Sequence, residues 1–235
     1  MGKPIPDYFD KSLIKSEQKG FYEQQKTSPM WQQLFKFISS YCARFKKVLA
    51  VGCGAYELIA VKNREETIGL DLSKGSLKWL NQNGFKGQLI QASSLNLPFK
   101  NDCFDAVYSN QVIEHMLNIE GVKKFISEVE RMSKNVMIIT PNSAYNRKIH
   151  DPTHFFYFTT RNFKPFTKGY KIYSTNHPYS KTLAYYFLYE SPKLQRLPLI
   201  GKYVVQWFKN VDSSKTLINL NKWLWPGDQL VAIKN

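Results

Sequence analysis

The first periodic segment opens at Ser28-Pro29, a capping residue followed by proline, after which Trp31, Leu34, Phe35, Ile38 and Cys42 recur at helical steps. This spacing predicts an amphipathic helix leaning on whatever follows. Val48 to Val51 then form an apolar run of strand length closed by Gly52 and Gly54, and Thr67 to Asp71 form a second run ending in a carboxylate. Leu77 and Leu80 mark a helix stopped by Asn83-Gly84. Lys86 to Gln91 reads as a third strand and Phe104 to Tyr108 as a fourth. Val122, Phe125, Ile126, Val129 and Met132 share one face of the next helix, and Val136 to Ile139 reads as a fifth strand, ended by Thr140-Pro141-Asn142. Strands alternating with helices predict an α/β, Rossmann-like, doubly wound sheet with right-handed crossovers and its ligand at the carboxyl ends of the strands.

The punctuation of the first two strands carries chemistry. Gly52 and Gly54 let the backbone turn sharply and approach a ligand with no Cβ in the way. Asp71 falls nineteen positions after Gly52, where a carboxylate accepts two hydrogen bonds from a ribose diol. A strand, a glycine turn and a second strand ending in Asp outline a nucleoside-cofactor site, and a dinucleotide fits this outline equally well.

The next blocks discriminate. Ser93-Ser94-Leu95-Asn96-Leu97-Pro98-Phe99 follows the third strand, and Phe104-Asp105-Ala106-Val107 leads into Asn110-Gln111-Val112-Ile113-Glu114-His115. Over residues 47 to 141 the chain resembles the class I S-adenosylmethionine-dependent methyltransferases, whose signature runs V-L-D-x-G-C-G-x-G, D-x-S, D-x-x-x-L-P-F, F-D-x-V and L-E-H. The resemblance implies S-adenosyl-L-methionine as cofactor. Gly52, Cys53 and Gly54 would face its methionyl part, and Asp71 with Leu72 its ribose. Ser93, Ser94 and Leu95 would take the adenine, and Asn110 and Gln111 would form the floor beneath the sulfonium. Three positions depart from the family. The acid two places before the first glycine is Ala50, the third glycine is Tyr56, and the adenine-side Asp is Ser93, whose hydroxyl can still accept a hydrogen bond from an adenine amino group. Cys53 reads as a small buried residue beside the turn, with no chemical part of its own.

Beyond the fifth strand, Thr140-Pro141-Asn142 and Asp151-Pro152-Thr153-His154 resemble a stretch of methyltransferases that act on hydroxyl groups. One branch modifies quinone precursors or glycans, the other the terminal ribose of small RNAs. In parts of both, a Glu-x-x-Glu-His block and a later His hold a divalent metal. Here that block reads Gln111-Val112-Ile113-Glu114-His115, with a neutral amide replacing the first carboxylate, so no metal is expected. His115 or His154 is expected instead as general base, because imidazole titrates near neutrality and can take a hydroxyl proton. Asp151 reads as a turn cap before Pro152.

In the family, two further strands pair antiparallel; Lys168 to Ser174 resembles the sixth and Asp228 to Lys234 the seventh. The reading is therefore one domain over residues 1–235 with a seven-stranded sheet: a helical N-terminal extension (1–45), the cofactor core (46–175), a helical insertion or lid (176–227) and the last strand (228–235). The insertion is too long for a plain loop and carries Tyr185, Tyr186, Phe187, Tyr203, Trp207 and Trp223, with seven Lys or Arg against two acids. Basic charge beside aromatic anchors fits an anionic membrane surface, so residues 181–225 offer a peripheral membrane contact for a lipid-linked acceptor. They also fit a lid over an apolar substrate, or a stacking platform for unpaired nucleic acid.

Composition constrains this picture without choosing the acceptor. A net charge of +15 favours an anionic neighbour, but the positive residues are dispersed. Three scattered cysteines, Cys42, Cys53 and Cys103, form neither a disulfide framework nor a zinc cluster and fit a reducing interior. Met1 to Gln25 is too polar for a signal peptide, and no apolar run reaches the roughly 18 residues of a spanning helix. The expected protein is cytoplasmic or peripheral to a membrane. It methylates an oxygen of a small-molecule, glycan or lipid-linked acceptor. RNA ribose methylation and a non-catalytic binding role are the alternatives, and nucleic acid is the less favoured partner.

Overall fold

The structure is a computed structural model, and residues 29–61, 66–143, 153–174 and 229–235 are described. The expectations for the remainder of the N-terminal extension, for Asp151, for the insertion at 176–227 and for a membrane contact at 181–225 lie outside the described residues.

The elements run α1 (Pro29–Cys42), β1 (Val48–Val51), α2 (Glu57–Ala60), β2 (Thr67–Asp71), α3 (Lys74–Gln82), β3 (Gln88–Gln91) and β4 (Ala106–Asn110). A 3-10 turn (Ile113–His115), α4 (Ile119–Met132), β5 (Val136–Pro141), α5 (Thr160–Phe163), β6 (Lys171–Ser174) and β7 (Gln229–Lys234) follow. They build one seven-stranded sheet in the order β3-β2-β1-β4-β5-β7-β6. The first five strands are parallel, and β7 is antiparallel to both β5 and β6. This is the expected seven-stranded α/β sheet with an antiparallel last strand.

The central strands read as continuous apolar runs because both faces are covered. Leu49, Val51 and Val107 point to one side, where Val122, Phe125, Ile126 and Val129 of α4 close over them. Val48, Ala50 and Tyr108 point to the other, beneath Trp31, Phe35 and Ile38 of α1 and Leu77 and Leu80 of α3. Alternation along each strand thus divides the core into two layers with the sheet between them. The segment assigned to an extension contributes a core helix in α1. Side-chain caps set two of the other helix starts: Ser73 Oγ accepts from Ser76 N–H at 3.0 Å, and Asn118 Oδ1 from Gly121 N–H at 2.8 Å.

Boundaries moved where local bonding outcompeted the ladder. β4 pairs with β1 only from Ala106, opposite Val48. Phe104 stays outside it, its N–H donating to the Met132 carbonyl and its ring edge-on to Phe99 at 4.9 Å. The strand instead extends to Asn110, which brings that side chain to the carboxyl edge of the sheet. Similarly, Gly169 turns with φ +85° ahead of β6, which begins at Lys171 rather than Lys168. Among the described residues, no helix is long and apolar enough to cross a membrane.

The strand order reverses direction between β1 and β4. At such a switch point the loops leave in opposite directions and open a crevice at the carboxyl ends of the two strands. The glycine turn, Asn110 and Gln111 all emerge there.

Candidate active site

The turn after β1 is held from both sides. Gly52 and Cys53 N–H groups donate to the Leu70 carbonyl at 2.7 and 3.1 Å, tying the turn to β2. Gly52 has φ +68°, and a Cβ there would stand 2.3 Å from Val112 Cγ2, so the loop leaving β4 packs directly on its backbone. Gly54 has φ +56°, and a Cβ built on it meets nothing within 4 Å. One glycine is required by packing; the other leaves bare backbone facing open space, the form of a cradle for a ligand. Asp71 fixes this cradle: its two oxygens accept from Gly54 N–H and Ser73 N–H, each at 2.8 Å. Leu72, 40% exposed, presents an apolar side chain next to it.

The loop expected to take the adenine is held by contacts that the sequence did not reveal. Ser93 Oγ accepts from Leu95 N–H at 3.2 Å, closing a tight turn. Leu97 N–H donates to Glu128 Oε2 at 2.7 Å, and Arg131 donates to the carbonyls of Leu97 and Phe99 at 2.9 and 2.7 Å. Glu128 and Arg131 are themselves bonded at 2.8 Å. Hydrogen bonding from Arg131 holds the Glu128 carboxyl down at about 2, with burial opposing and Leu97 N–H and Lys124 assisting. One helix turn thereby clamps residues 97–101. The available signal was an acid inside the apolar face of α4, beside Phe125 and Val129.

At the end of β4, Asn110 is buried and Gln111 takes φ +58°, a left-handed conformation that a non-glycine residue adopts only when its surroundings enforce it. Gln111 N–H donates to the Ile139 carbonyl at 2.9 Å, and its amide Nε2 donates to Gln229 Oε1 on β7. The side chain standing where the resembled families have a first carboxylate is thus turned toward β7. Asn110 Nδ2 donates to Glu57 Oε2, a carboxyl that sequence reasoning missed. Burial pushes the Glu57 carboxyl up to about 8, against the pull of the Asn110 amide. Burial also raises the Cys53 thiol, reinforced by the charges of Asp71 and Glu57, so Cys53 stays protonated and chemically quiet, in line with its reading as a packing residue.

The two candidate bases meet. The rings of His115 and His154 lie edge to face with centroids 4.8 Å apart. His115 Nδ1 lies 3.0 Å from the Thr153 carbonyl, an acceptor that fixes the proton on Nδ1. Phe155 and Phe156 N–H groups both donate to the Glu114 carbonyl at 2.9 and 3.1 Å, which is how residues 153–156 are brought against the 3-10 turn. The Glu114 side chain is buried, with Thr140 Oγ1 donating to its Oε2 at 3.0 Å. Ligand atoms of Glu114, His115 and His154 all lie within 4.8 Å of one another.

A doubly wound sheet of this strand order, with a glycine cradle, a carboxylate after β2 and a buried amide after β4, defines the class I methyltransferase fold. Residues 49–136 match the family model of the methyltransferase domain. An uncharacterised protein of Methanocaldococcus jannaschii is 27% identical over 231 residues, covering 94% of this chain and 95% of that protein. A chain from the complex between the Haloferax volcanii Trm112 methyltransferase activator and a methyltransferase superposes with a TM-score of 0.60 at 14% identity, covering 96% of each chain. A SAM-dependent methyltransferase from Archaeoglobus fulgidus gives 0.58 at 19% identity, covering 91% of this chain and 98% of that one. The chain thus has the fold of the S-adenosylmethionine-dependent methyltransferases, and S-adenosyl-L-methionine is the cofactor that this likeness implies. The open backbone at Gly54 suits the methionyl part of that molecule, and the Asp71 carboxylate its ribose.

Proposed function

We propose that the protein transfers the methyl group of S-adenosylmethionine to a hydroxyl oxygen of a small-molecule, glycan or lipid-linked acceptor. The observation that carries this reading is the His115–His154 pair beside the end of β4, with Nδ1 of His115 committed to the Thr153 carbonyl. Bound S-adenosylmethionine supplies a methyl group already activated by its sulfonium, so positioning is the larger part of the task. Nε2 of His115 takes the hydroxyl proton as the oxygen–methyl bond forms, and the Thr153 carbonyl stabilises the resulting imidazolium. His154 holds the first ring edge-on. Leu117, Ile119, Phe155 and Tyr157, close in sequence to His115 and His154, are all substantially exposed, and these apolar side chains favour an acceptor with an apolar body over a polyanion.

RNA ribose methylation is the second reading, supported by the net charge of +15. Glu114, His115 and His154 also form a carboxylate and two imidazoles that would hold a borderline divalent cation, which would act by polarising the acceptor oxygen. Incubating the protein with methyl-labelled cofactor and fractionated extract separates these. Label entering small molecules, glycan or lipid, undiminished by a chelator and lost in His115→Ala, is the expected result. Label confined to RNA overturns the acceptor class, and loss of labelling with chelator replaces the general base by a metal.

A further inference from the structure

The cofactor has two ends. Its adenosyl end has the Asp71 side of the crevice; its methionyl end carries an α-ammonium, which needs acceptors and a negative charge. Ala50, in the strand leading to the turn, offers no side-chain acceptor. The opposite wall does. Glu57 stands at the partly exposed first turn of α2, three residues past Gly54, bonded to Asn110 Nδ2. Asn110 is 5% exposed, and its Oδ1 has no hydrogen-bond partner among the described residues. A buried amide oxygen with no donor costs stability unless a ligand supplies one. Nor, among the described residues, does any Lys or Arg bond to Glu57. Carboxyl and amide oxygen together make a seat that has acceptors but no cation.

We infer that Glu57 and Asn110 receive the α-ammonium group of S-adenosylmethionine, Glu57 supplying the negative charge and Asn110 Oδ1 a hydrogen-bond acceptor. This rests on the cofactor reading of the crevice and adds to it the residues that distinguish amino-acid-bearing nucleosides from others. It also couples binding to protons. Without the cofactor, burial holds the proton on the carboxyl to about pH 8, against hydrogen bonds from Asn110 and Tyr108, and the titratable groups around it supply no positive charge. Those are Cys53 on the turn, Tyr108 on β4 with Cys42 of α1 facing it, and Asp71 acting on Cys53; none is a cation at neutral pH. An arriving ammonium favours the ionised form, so the proton is released on binding.

Titration calorimetry with S-adenosylhomocysteine and with 5′-methylthioadenosine, which lacks the amino-acid part, tests this. Glu57→Gln is expected to lower affinity for S-adenosylhomocysteine at least tenfold and to leave methylthioadenosine within about twofold. At pH 7 the wild-type protein is expected to release a proton on binding S-adenosylhomocysteine, seen by comparing buffers of different ionisation enthalpy, and Glu57→Gln to release none. Equal losses for both ligands would mean that Glu57 merely shapes the turn, and unchanged affinity for both would mean that the ammonium sits elsewhere; either overturns the inference alone. Wild-type protein that binds neither nucleoside overturns the cofactor reading, and this inference with it.

Discussion

Glu128 and Glu57 are acids folded into opposite sides of the same sheet, and their surroundings have treated them in opposite ways. Glu128 meets Arg131, Lys124 and the Leu97 N–H, and its carboxyl is held at about 2. Among the described residues, Glu57 meets only neutral groups, the Asn110 amide and the Tyr108 phenol, and burial pushes it to about 8. An acid surrounded by its own cations is complete, and its work is to hold the loop at 97–101 in place. An acid buried without a cation is costly for the fold alone, and such sites are more often found where a ligand completes them. The first region is architecture; the second is the part of the crevice with an unfilled requirement.

Breaking the complete region should give the largest effect. Arg131→Met leaves Glu128 buried with Lys124 and one N–H, and should cost about 3 kcal/mol of stability, the low end for a broken buried pair because Arg131 is itself 27% exposed. Urea unfolding measures this. Adding Glu128→Gln to that variant should recover part of the loss, since the stranded charge is removed. A double variant no better than Arg131→Met would show that the guanidinium acts through the Leu97 and Phe99 carbonyls alone.

Asp71 is intermediate, satisfied by two backbone N–H groups yet open to a ligand. Asp71→Ala should weaken cofactor binding by about 1 to 3 kcal/mol, by removing both the ribose acceptors and the brace on Gly54. Calorimetry with S-adenosylmethionine and with methylthioadenosine should show similar losses for the two, in contrast to the selective loss expected at Glu57. Unchanged affinity would place the ribose away from β2.

This contrast marks what was readable in the chain. The glycine turn, Asp71 and the loop at Ser93 could be placed from the sequence because each follows a strand, where short-range spacing fixes position; His115 and His154 were named only as alternative bases, and their meeting comes from the fold. The α/β class also follows from alternating strands and helices, whereas the strand order comes from the structure. Glu57 and Glu128 were not legible, because an acid at the start of a helix or three residues from an Arg reads as surface until the sheet that buries it is in place. Nor was the left-handed Gln111: nothing local requires φ +58° there, and the conformation comes from bonds to Ile139 and to Gln229, far along the chain.

Stability against pH is the finest test of the comparison, because the two acids should pull in opposite directions in separate windows. Glu128 has a folded-state value below that of the unfolded chain, so its contribution is present above the usual carboxylate range and is lost as pH falls toward about 2. Glu57 has a folded-state value above it, so the folded protein without cofactor binds the extra proton between about 4.5 and about 8, and stability drains as pH rises through that window. Glu57→Gln should therefore leave the cofactor-free protein about equally stable at pH 5 and clearly more stable than wild type at pH 9, by urea midpoint. Saturating S-adenosylhomocysteine should reverse the order at pH 9, since the ionised carboxylate then has its cation and the glutamine does not. If the variant is less stable than wild type in both states, Glu57 belongs with Glu128 as architecture, and the distinction between the two regions fails.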